Sequence, residues 1–209
     1  MSGIVGKILI WAMTALVGVL GLQSNMRPEP KTAPSEPAVV VPLSQSKATS
    51  LFEFTVNTIN GEAQPLSKYR GNVVLVVNTA SRCGLTPQYA QLEKLYRENR
   101  DKGFVVIGFP SNSFRQELPT NQAVAEFCEV NFGVTFPLME ITEVRGKEIS
   151  PVYRFLSQNL RGSPEPDWNF AKFLVDRDGQ PVRFFSARIS PESGDVQSAI
   201  REELQRRAQ

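Results

Sequence analysis

Val73-Val74-Leu75-Val76-Val77 runs without a polar residue, and Asn78-Thr79-Ala80-Ser81-Arg82-Cys83-Gly84-Leu85 carries it to Thr86-Pro87. Five consecutive apolar, mostly β-branched residues match a central strand buried on both faces. Thr86 is a favoured helix N-cap and Pro87 a favoured first helical residue. The stretch therefore predicts a strand, a tight turn and a helix start, with Cys83 in the turn. A thiol there faces the unpaired N–H groups and the positive end of the helix dipole. Those surroundings favour the thiolate, which is the reactive form of cysteine.

On the C-terminal side, Tyr89, Leu92 and Tyr96 repeat at helical spacing and Gly103 is placed to stop the helix. Phe104 to Phe109 predicts a second buried strand, and a helix is predicted from about Thr120 to Asn131 with Val124, Phe127 and Cys128 on one face. Ser150-Pro151 and Ser190-Pro191 both read as helix starts, before Val152–Leu156 and before a C-terminal helix. Phe170–Val175 and Val182–Phe185 are joined by the turn Asp176-Arg177-Asp178-Gly179 as a hairpin. Towards the N-terminus, Phe52 to Val56 alternates as a strand does, and Asn60-Gly61 is a hairpin turn signal. Strand, helix, strand, helix, then a terminal hairpin and helix describes an α/β fold, a central sheet with helices on both faces. In such sheets chemistry sits beyond the carboxyl ends of the strands, where Cys83 is placed.

Composition narrows the chemistry. The chain has 209 residues, two cysteines, no histidine and a formal net charge of +2. Without histidine there is no Ser-His-Asp triad, no Cys-His dyad and no histidine-ligated zinc or haem. Two cysteines cannot build a four-cysteine metal site, so no cofactor is expected. The small net charge gives no reason to expect nucleic acid. Thiol chemistry without an imidazole base remains.

Three regions are expected. In residues 1–23, Lys7 precedes an uncharged run of 15 residues from Ile8 to Leu22. That run is longer than most signal-peptide cores and shorter than the roughly 17–25 residues of a membrane span. Counting back through Gly3, with Lys7 snorkelling to the interface, brings it to spanning length. An N-terminal apolar helix serving as an uncleaved membrane anchor is the first reading and a cleaved signal peptide the second. Positive charge at the N-terminus orients it to the cytoplasm and places the rest of the chain on the far side, membrane-anchored or exported. Residues 24–50 carry Pro28, Pro30, Pro34, Pro37 and Pro42 among Ser, Thr, Lys and Glu, the composition of an extended, disordered linker. Residues 51–209 form the working domain.

Four segments of that domain carry a resemblance. They are Asn78-Thr79-Ala80-Ser81-Arg82-Cys83-Gly84, Phe109-Pro110-Ser111-Asn112-Ser113-Phe114-Arg115-Gln116-Glu117, Phe127-Cys128 through Phe136-Pro137, and Trp168-Asn169-Phe170-Ala171-Lys172-Phe173-Leu174. In this order and spacing they resemble the glutathione peroxidase family, from Leu51 to about Leu204. The resemblance implies a thioredoxin-like fold with a central mixed sheet flanked by helices. It implies a catalytic set of Cys83, Gln116, Trp168 and Asn169, in which the thiol attacks a peroxide bond with help from neutral N–H donors. Indole and amide N–H groups can stabilise an anion and do not titrate.

Attack leaves a sulfenic acid on Cys83, which condenses readily with a second thiol. Cys128 is the only other thiol, and it matches the resolving cysteine of the non-selenium members that use thioredoxin in place of glutathione. The two cysteines are 45 positions apart on different elements. A disulfide needs Cα atoms within about 7 Å, so unwinding or movement of the Thr120–Asn131 helix is expected during turnover. Ser111 and Ser113 depart from the family's usual Phe-Pro-Cys-Asn-Gln-Phe. The stretch from Phe155 to Trp168 is short, as in monomeric members with an open site. The expected partners are hydrogen peroxide or organic (lipid) hydroperoxides, a thioredoxin-like protein or glutathione as reductant, and a membrane through the N-terminal segment. A disulfide exchanger of the Cys-x-x-Cys type is disfavoured because Thr86 stands where the second cysteine belongs. A redox sensor or disulfide relay on the same fold uses the same thiols, and steady-state turnover separates it from a catalyst.

Overall fold

The structure is a computed structural model and describes residues 48–206. The expected apolar helix of residues 1–23 and nearly all of the expected linker lie outside the described residues. Among the described residues, no helix is long and apolar enough to cross a membrane. Thr49 and Ser50, placed in the linker by composition, already belong to the folded part. Ser50 Oγ donates to the carbonyl of Asp178 at 2.8 Å, and Gln180 Nε2 donates to the carbonyl of Thr49 at 2.6 Å.

The sheet is built from β3 (Val73–Thr79), β4 (Phe104–Pro110), β5 (Lys172–Val175) and β6 (Pro181–Phe185), in the order β4-β3-β5-β6. β3 pairs in parallel with β4, while β5 runs antiparallel to both β3 and β6. The expected mixed sheet is present. A short hairpin of β1 (Thr55–Asn57) and β2 (Ala63–Pro65) turns through Asn60-Gly61.

Every residue of β3 and β4 is buried, and alternate side chains enter two different cores. Val73, Leu75 and Val77 face α1 (Gln88–Asn99), α2 (Asn121–Phe132) and α4 (Gly194–Gln205). Val74 and Val76 face α3 (Pro151–Gln158) and the N-terminal segment around Leu51 and Phe52. Helices thus cover both faces, which is why the strands carry no polar alternation. Burying side chains of this size removes on the order of 1.5–3 kcal/mol each from exposure to water.

Local signals set the element ends. Thr120 Oγ1 accepts from Ala123 N and caps α2, and Gly133 at φ 58° closes it. Ser150 caps α3 ahead of Pro151, as expected. Three boundaries differ from the sequence reading. Residues 51–53 form a 3-10 turn, with Leu51 and Phe52 both buried, where a strand was expected. Two adjacent buried side chains suit a tight helical turn and not a period of two. α4 starts after Ser193, whose Oγ accepts from Val196 N, because Ser190 Oγ is engaged in a preceding turn with Glu192 N. α1 starts at Gln88, not at Thr86, for a reason that concerns Cys83. Gly179, at φ 86°, closes the β5–β6 hairpin beneath the N-terminal segment; a Cβ there would lie 2.1 Å from Ser50 Oγ.

Candidate active site

Three chain segments meet at one edge of the sheet because of strand direction. Parallel β3 and β4 end there, and antiparallel β5 begins there, with Val77 opposite Lys172. Cys83 follows β3, Gln116 follows β4, and Trp168 and Asn169 precede β5. The topology thus gathers residues that lie up to 86 positions apart in sequence.

The Cys83 turn is closed by Thr86. Its Oγ1 accepts from Cys83 N at 3.0 Å and donates to the carbonyl of Ala80 at 2.9 Å. With that hydroxyl engaged, the residues before α1 form tight turns, Thr86 N to the carbonyl of Cys83 at 3.0 Å and Gln88 N to that of Leu85 at 2.9 Å. Thr86 therefore caps the thiol's own loop and not the helix, correcting the expected helix start. The N–H that reaches the sulfur is Leu85 N, 3.4 Å from Sγ. Cys83 is 8 % exposed.

The Trp168 segment is held by Asn78, the last but one residue of β3. Asn78 Nδ2 donates to the Trp168 carbonyl at 3.0 Å, and Phe170 N donates to the Asn78 carbonyl at 2.6 Å. Asn169 is buried, and its Nδ2 donates to Gln116 Oε1 at 2.8 Å. Gln116 is tied to the thiol loop through its carbonyl, which accepts from Arg82 N at 2.9 Å. With Oε1 taken by Asn169, the donors that Gln116 keeps for a ligand are those on Nε2. Trp168 is 41 % exposed and packs on Phe114 with ring centroids 5.0 Å apart, and Arg145 lies over the other ring of that stack, Phe114. Leu85, Asp167, Trp168 and Arg188 line a cleft of about 490 Å³ beside the thiol loop.

Two non-glycine residues flank the amide pair in the left-handed region, Arg115 at φ 59° and Phe170 at φ 72°. Such conformations are uncommon for bulky residues and collect where a site dictates the backbone. Ser111 and Ser113, the departures from the family pattern, tie this loop down. Ser111 Oγ donates to Ser113 Oγ at 3.0 Å, Ser113 Oγ donates to the Glu143 carboxylate, and Val144 N donates to Ser113 Oγ at 3.0 Å.

Cys128 lies on α2, fully buried in the same core cluster as Cys83, and both thiols are free. Burial pushes its thiol up to about 11, the Tyr89 hydroxyl opposes this, and the Glu117 carboxyl adds to it. The Tyr89 hydroxyl interacts with Cys128 and Thr79 without completing a hydrogen bond of full geometry to either. The structure therefore places Cys83, Gln116, Trp168 and Asn169 around one sheet edge and Cys128 beneath it on a separate helix.

Two charged residues that carried no role in the sequence reading support the rim. Lys172 is buried, and its Nζ donates to the carbonyls of Ile189 at 2.6 Å and Ala187 at 3.4 Å. Burial pulls the ammonium down to about 7, with Asp167 opposing. Asp167 accepts from Ser186 Oγ at 2.6 Å and Ala187 N at 3.1 Å, so both residues fix segment 186–189 next to Trp168. The second is Glu117, whose contacts join the Cys83 loop to the Gln116 loop. A charged residue inside a run of strand or loop residues was the only sequence signal for either.

Comparison with known proteins agrees with this geometry. The family model described as "Glutathione peroxidase" matches residues 51–157. The chain is 44 % identical over 158 residues to "Glutathione peroxidase-like peroxiredoxin 2" of Saccharomyces cerevisiae, covering 73 % of this chain and 98 % of that one. It is 41 % identical over 162 residues to "Hydroperoxy fatty acid reductase gpx1" of Synechocystis sp., covering 72 % of this chain and 96 % of that one. The crystal structure of Trgpx in its apo form superposes with a TM-score of 0.62 at 37 % identity, over 76 % of this chain and 97 % of that one. The residues matched by the family model include Cys83, Gln116 and Cys128. With a family model spanning just over half of it and relatives matched along nearly their whole length, this chain belongs to the glutathione peroxidase family.

Proposed function

We propose that the protein is a thiol peroxidase that reduces hydroperoxides through Cys83, forms a Cys83–Cys128 disulfide, and is regenerated by a thioredoxin-like dithiol. The observation that carries the reading is the Asn169–Gln116 bond of 2.8 Å, which joins two neutral amides beside the loop holding the thiol, to which Gln116 is itself bonded through Arg82 N. Thiolate sulfur attacks one peroxide oxygen, the O–O bond breaks, and the leaving alkoxide or hydroxide takes a proton. Cys83 is then a sulfenic acid and the product an alcohol or water. Fixed N–H groups of Gln116, Asn169 and Trp168 stabilise the negative charge that develops on the leaving oxygen without titrating themselves.

In the second step the Cys128 thiol attacks Cys83 sulfur, forming the disulfide and releasing water. Because Cys128 is buried on α2 in the reduced protein, this step needs local opening of that helix. An external dithiol then reduces the disulfide and is itself oxidised. The relatives' names, a peroxiredoxin and a hydroperoxy fatty acid reductase, support a dithiol reductant and lipid hydroperoxides among the substrates. The cleft beside Trp168 offers Leu85 and an exposed indole to an acyl chain, and Arg188 to an anionic end.

The N-terminal segment supports an enzyme tethered to a membrane, its domain on the extracytoplasmic side, with an exported thioredoxin-like donor, and the short stretch from Phe155 to Trp168 supports a monomer. The test is steady-state turnover with hydrogen peroxide, supplied in parallel with a thioredoxin system and with glutathione. Multiple turnovers with the thioredoxin system at a rate well above that with glutathione are expected; a single turnover with either would reduce the protein to a sensor. A C-terminal reporter fusion that is active only outside the cytoplasm is the expected result for location, and cytoplasmic activity would contradict it.

A further inference from the structure

Glu117 is 7 % exposed and follows Gln116 directly. Its Oε1 accepts from Ser81 N at 2.9 Å and from Leu118 N at 2.8 Å. Ser81 belongs to the loop after β3, two residues before Cys83, whereas Glu117 belongs to the loop after β4. Its own N–H donates to Asn112 Oδ1 at 3.3 Å, which folds the Gln116 loop back on itself. The other carboxyl oxygen is buried and completes no hydrogen bond of full geometry.

We propose that Glu117 is a positioning residue of the peroxide-reducing site: its carboxyl oxygen fastens the Cys83 loop to the Gln116 loop and so holds the Gln116–Asn169 amide pair against the thiol. The inference rests on the peroxidase reading above and adds a residue to it. Apart from this carboxyl, the described backbone bond between the loops is Arg82 N to the Gln116 carbonyl, one residue on either side. A single bond between two loops allows them to hinge. Two bonds from consecutive residues, Ser81 and Arg82, to consecutive residues, Glu117 and Gln116, fix their relative angle. The amide pair has to be placed within about 0.5 Å to favour charge on a peroxide oxygen, so the angle matters for the reaction and not only for the fold. Cost is visible in the site: burial raises the carboxyl's proton affinity, although bonds from Ser81 and Leu118 and the charge of Arg82 oppose it, and its second oxygen is buried without a hydrogen bond of full geometry. A residue serving stability alone would do better as an apolar side chain.

The prediction separates geometry from charge with two variants, each combined with Cys128→Ser so that only Cys83 reports. Glu117→Gln keeps an acceptor oxygen at full reach, whereas Glu117→Asp keeps the carboxyl one methylene short. Two rates are measured on folded protein, oxidation of Cys83 by hydrogen peroxide and alkylation of Cys83 by iodoacetamide, which does not need the amide pair. Peroxide oxidation is expected to fall at least tenfold in Glu117→Asp and to recover to within threefold in Glu117→Gln. Alkylation is expected to change less than twofold in both. Equal peroxide rates in the Asp variant and its parent would overturn the assignment, as would parallel loss of peroxide and alkylation rates. A parent protein whose Cys83 alkylates normally but does not react with peroxide would instead defeat the peroxidase reading, and this assignment with it.

Discussion

Cys83 and Cys128 are both buried in the same core cluster, yet their backbone settings and polar neighbours differ. Cys83 sits on an irregular turn after a strand, with Leu85 N–H directed at its sulfur and an exposed indole on the rim. Cys128 sits in the middle of a regular helix, where its backbone groups are already paired, against a tyrosine hydroxyl and near a carboxyl. One thiol is supplied with an N–H donor by its own turn; the other is held in its protonated form inside a helix. Backbone irregularity distinguishes the two thiols in the order of reaction proposed above. A turn leaves N–H groups free for an anion, and a helix interior leaves none.

Breaking the donor set should have the largest effect. Removing a fixed donor to a developing anion costs about 10²–10³ in rate in comparable sites. Gln116→Ala is therefore expected to slow peroxide oxidation of Cys83 by about 10², measured by stopped-flow in a Cys128→Ser background. It should leave Cys83 alkylation within a few-fold; an unchanged peroxide rate would remove the amide pair from the mechanism.

Cys128 offers the converse test. With its thiol near 11, about one molecule in 10³ is thiolate at pH 8, against roughly a quarter for a free thiol near 8.5. In the Cys83→Ser protein, alkylation of Cys128 at pH 8 is expected to be about 10²-fold slower than for a free cysteine. Mild denaturant that opens α2 should abolish that protection. Rapid alkylation of the native protein would show that the two thiols are not distinguished by burial.

A smaller effect concerns the rim of the Cys83 side. Lys172 titrates near 7 when folded, below the ordinary lysine value of 10.5. Between those values the unfolded chain holds a proton that the folded chain has released, so unfolding free energy rises with pH. The slope approaches about 1.4 kcal/mol per pH unit for one proton. Above about 9 the raised thiol of Cys128 acts oppositely, since the folded chain then holds the extra proton. Urea unfolding should show stability increasing from pH 7 to 9, and Lys172→Met should flatten that rise. A rise of equal steepness in the variant would assign it to another group.

Much of this arrangement was legible in the sequence, and the exceptions share a cause. Val73–Val77 and Phe104–Phe109 announced buried strands because both faces are covered. Thr120 and Ser150 marked helix starts because their hydroxyls do cap. The same signal misled at Thr86 and at Ser190, whose hydroxyls are spent on Cys83 N and Glu192 N instead. A hydroxyl can serve only the donor that the local turn presents, and that is not encoded in residue type. The family resemblance brought out Gln116, Trp168 and Asn169 as a set, but their meeting depends on antiparallel β5 starting where β3 ends. Glu117 and Lys172 stood inside quoted motifs without a role, because a buried charge looks like a surface charge until its partners are known.

The most direct measurement is the mass of the intact protein after one equivalent of hydrogen peroxide, compared with its Cys128→Ser variant and located by peptide mapping. Loss of two hydrogens is expected in the unsubstituted protein, with Cys83 and Cys128 joined, and gain of one oxygen confined to Cys83 in the variant. Oxygen appearing first on Cys128, or a protein of unchanged mass with intact Cys83, would contradict it.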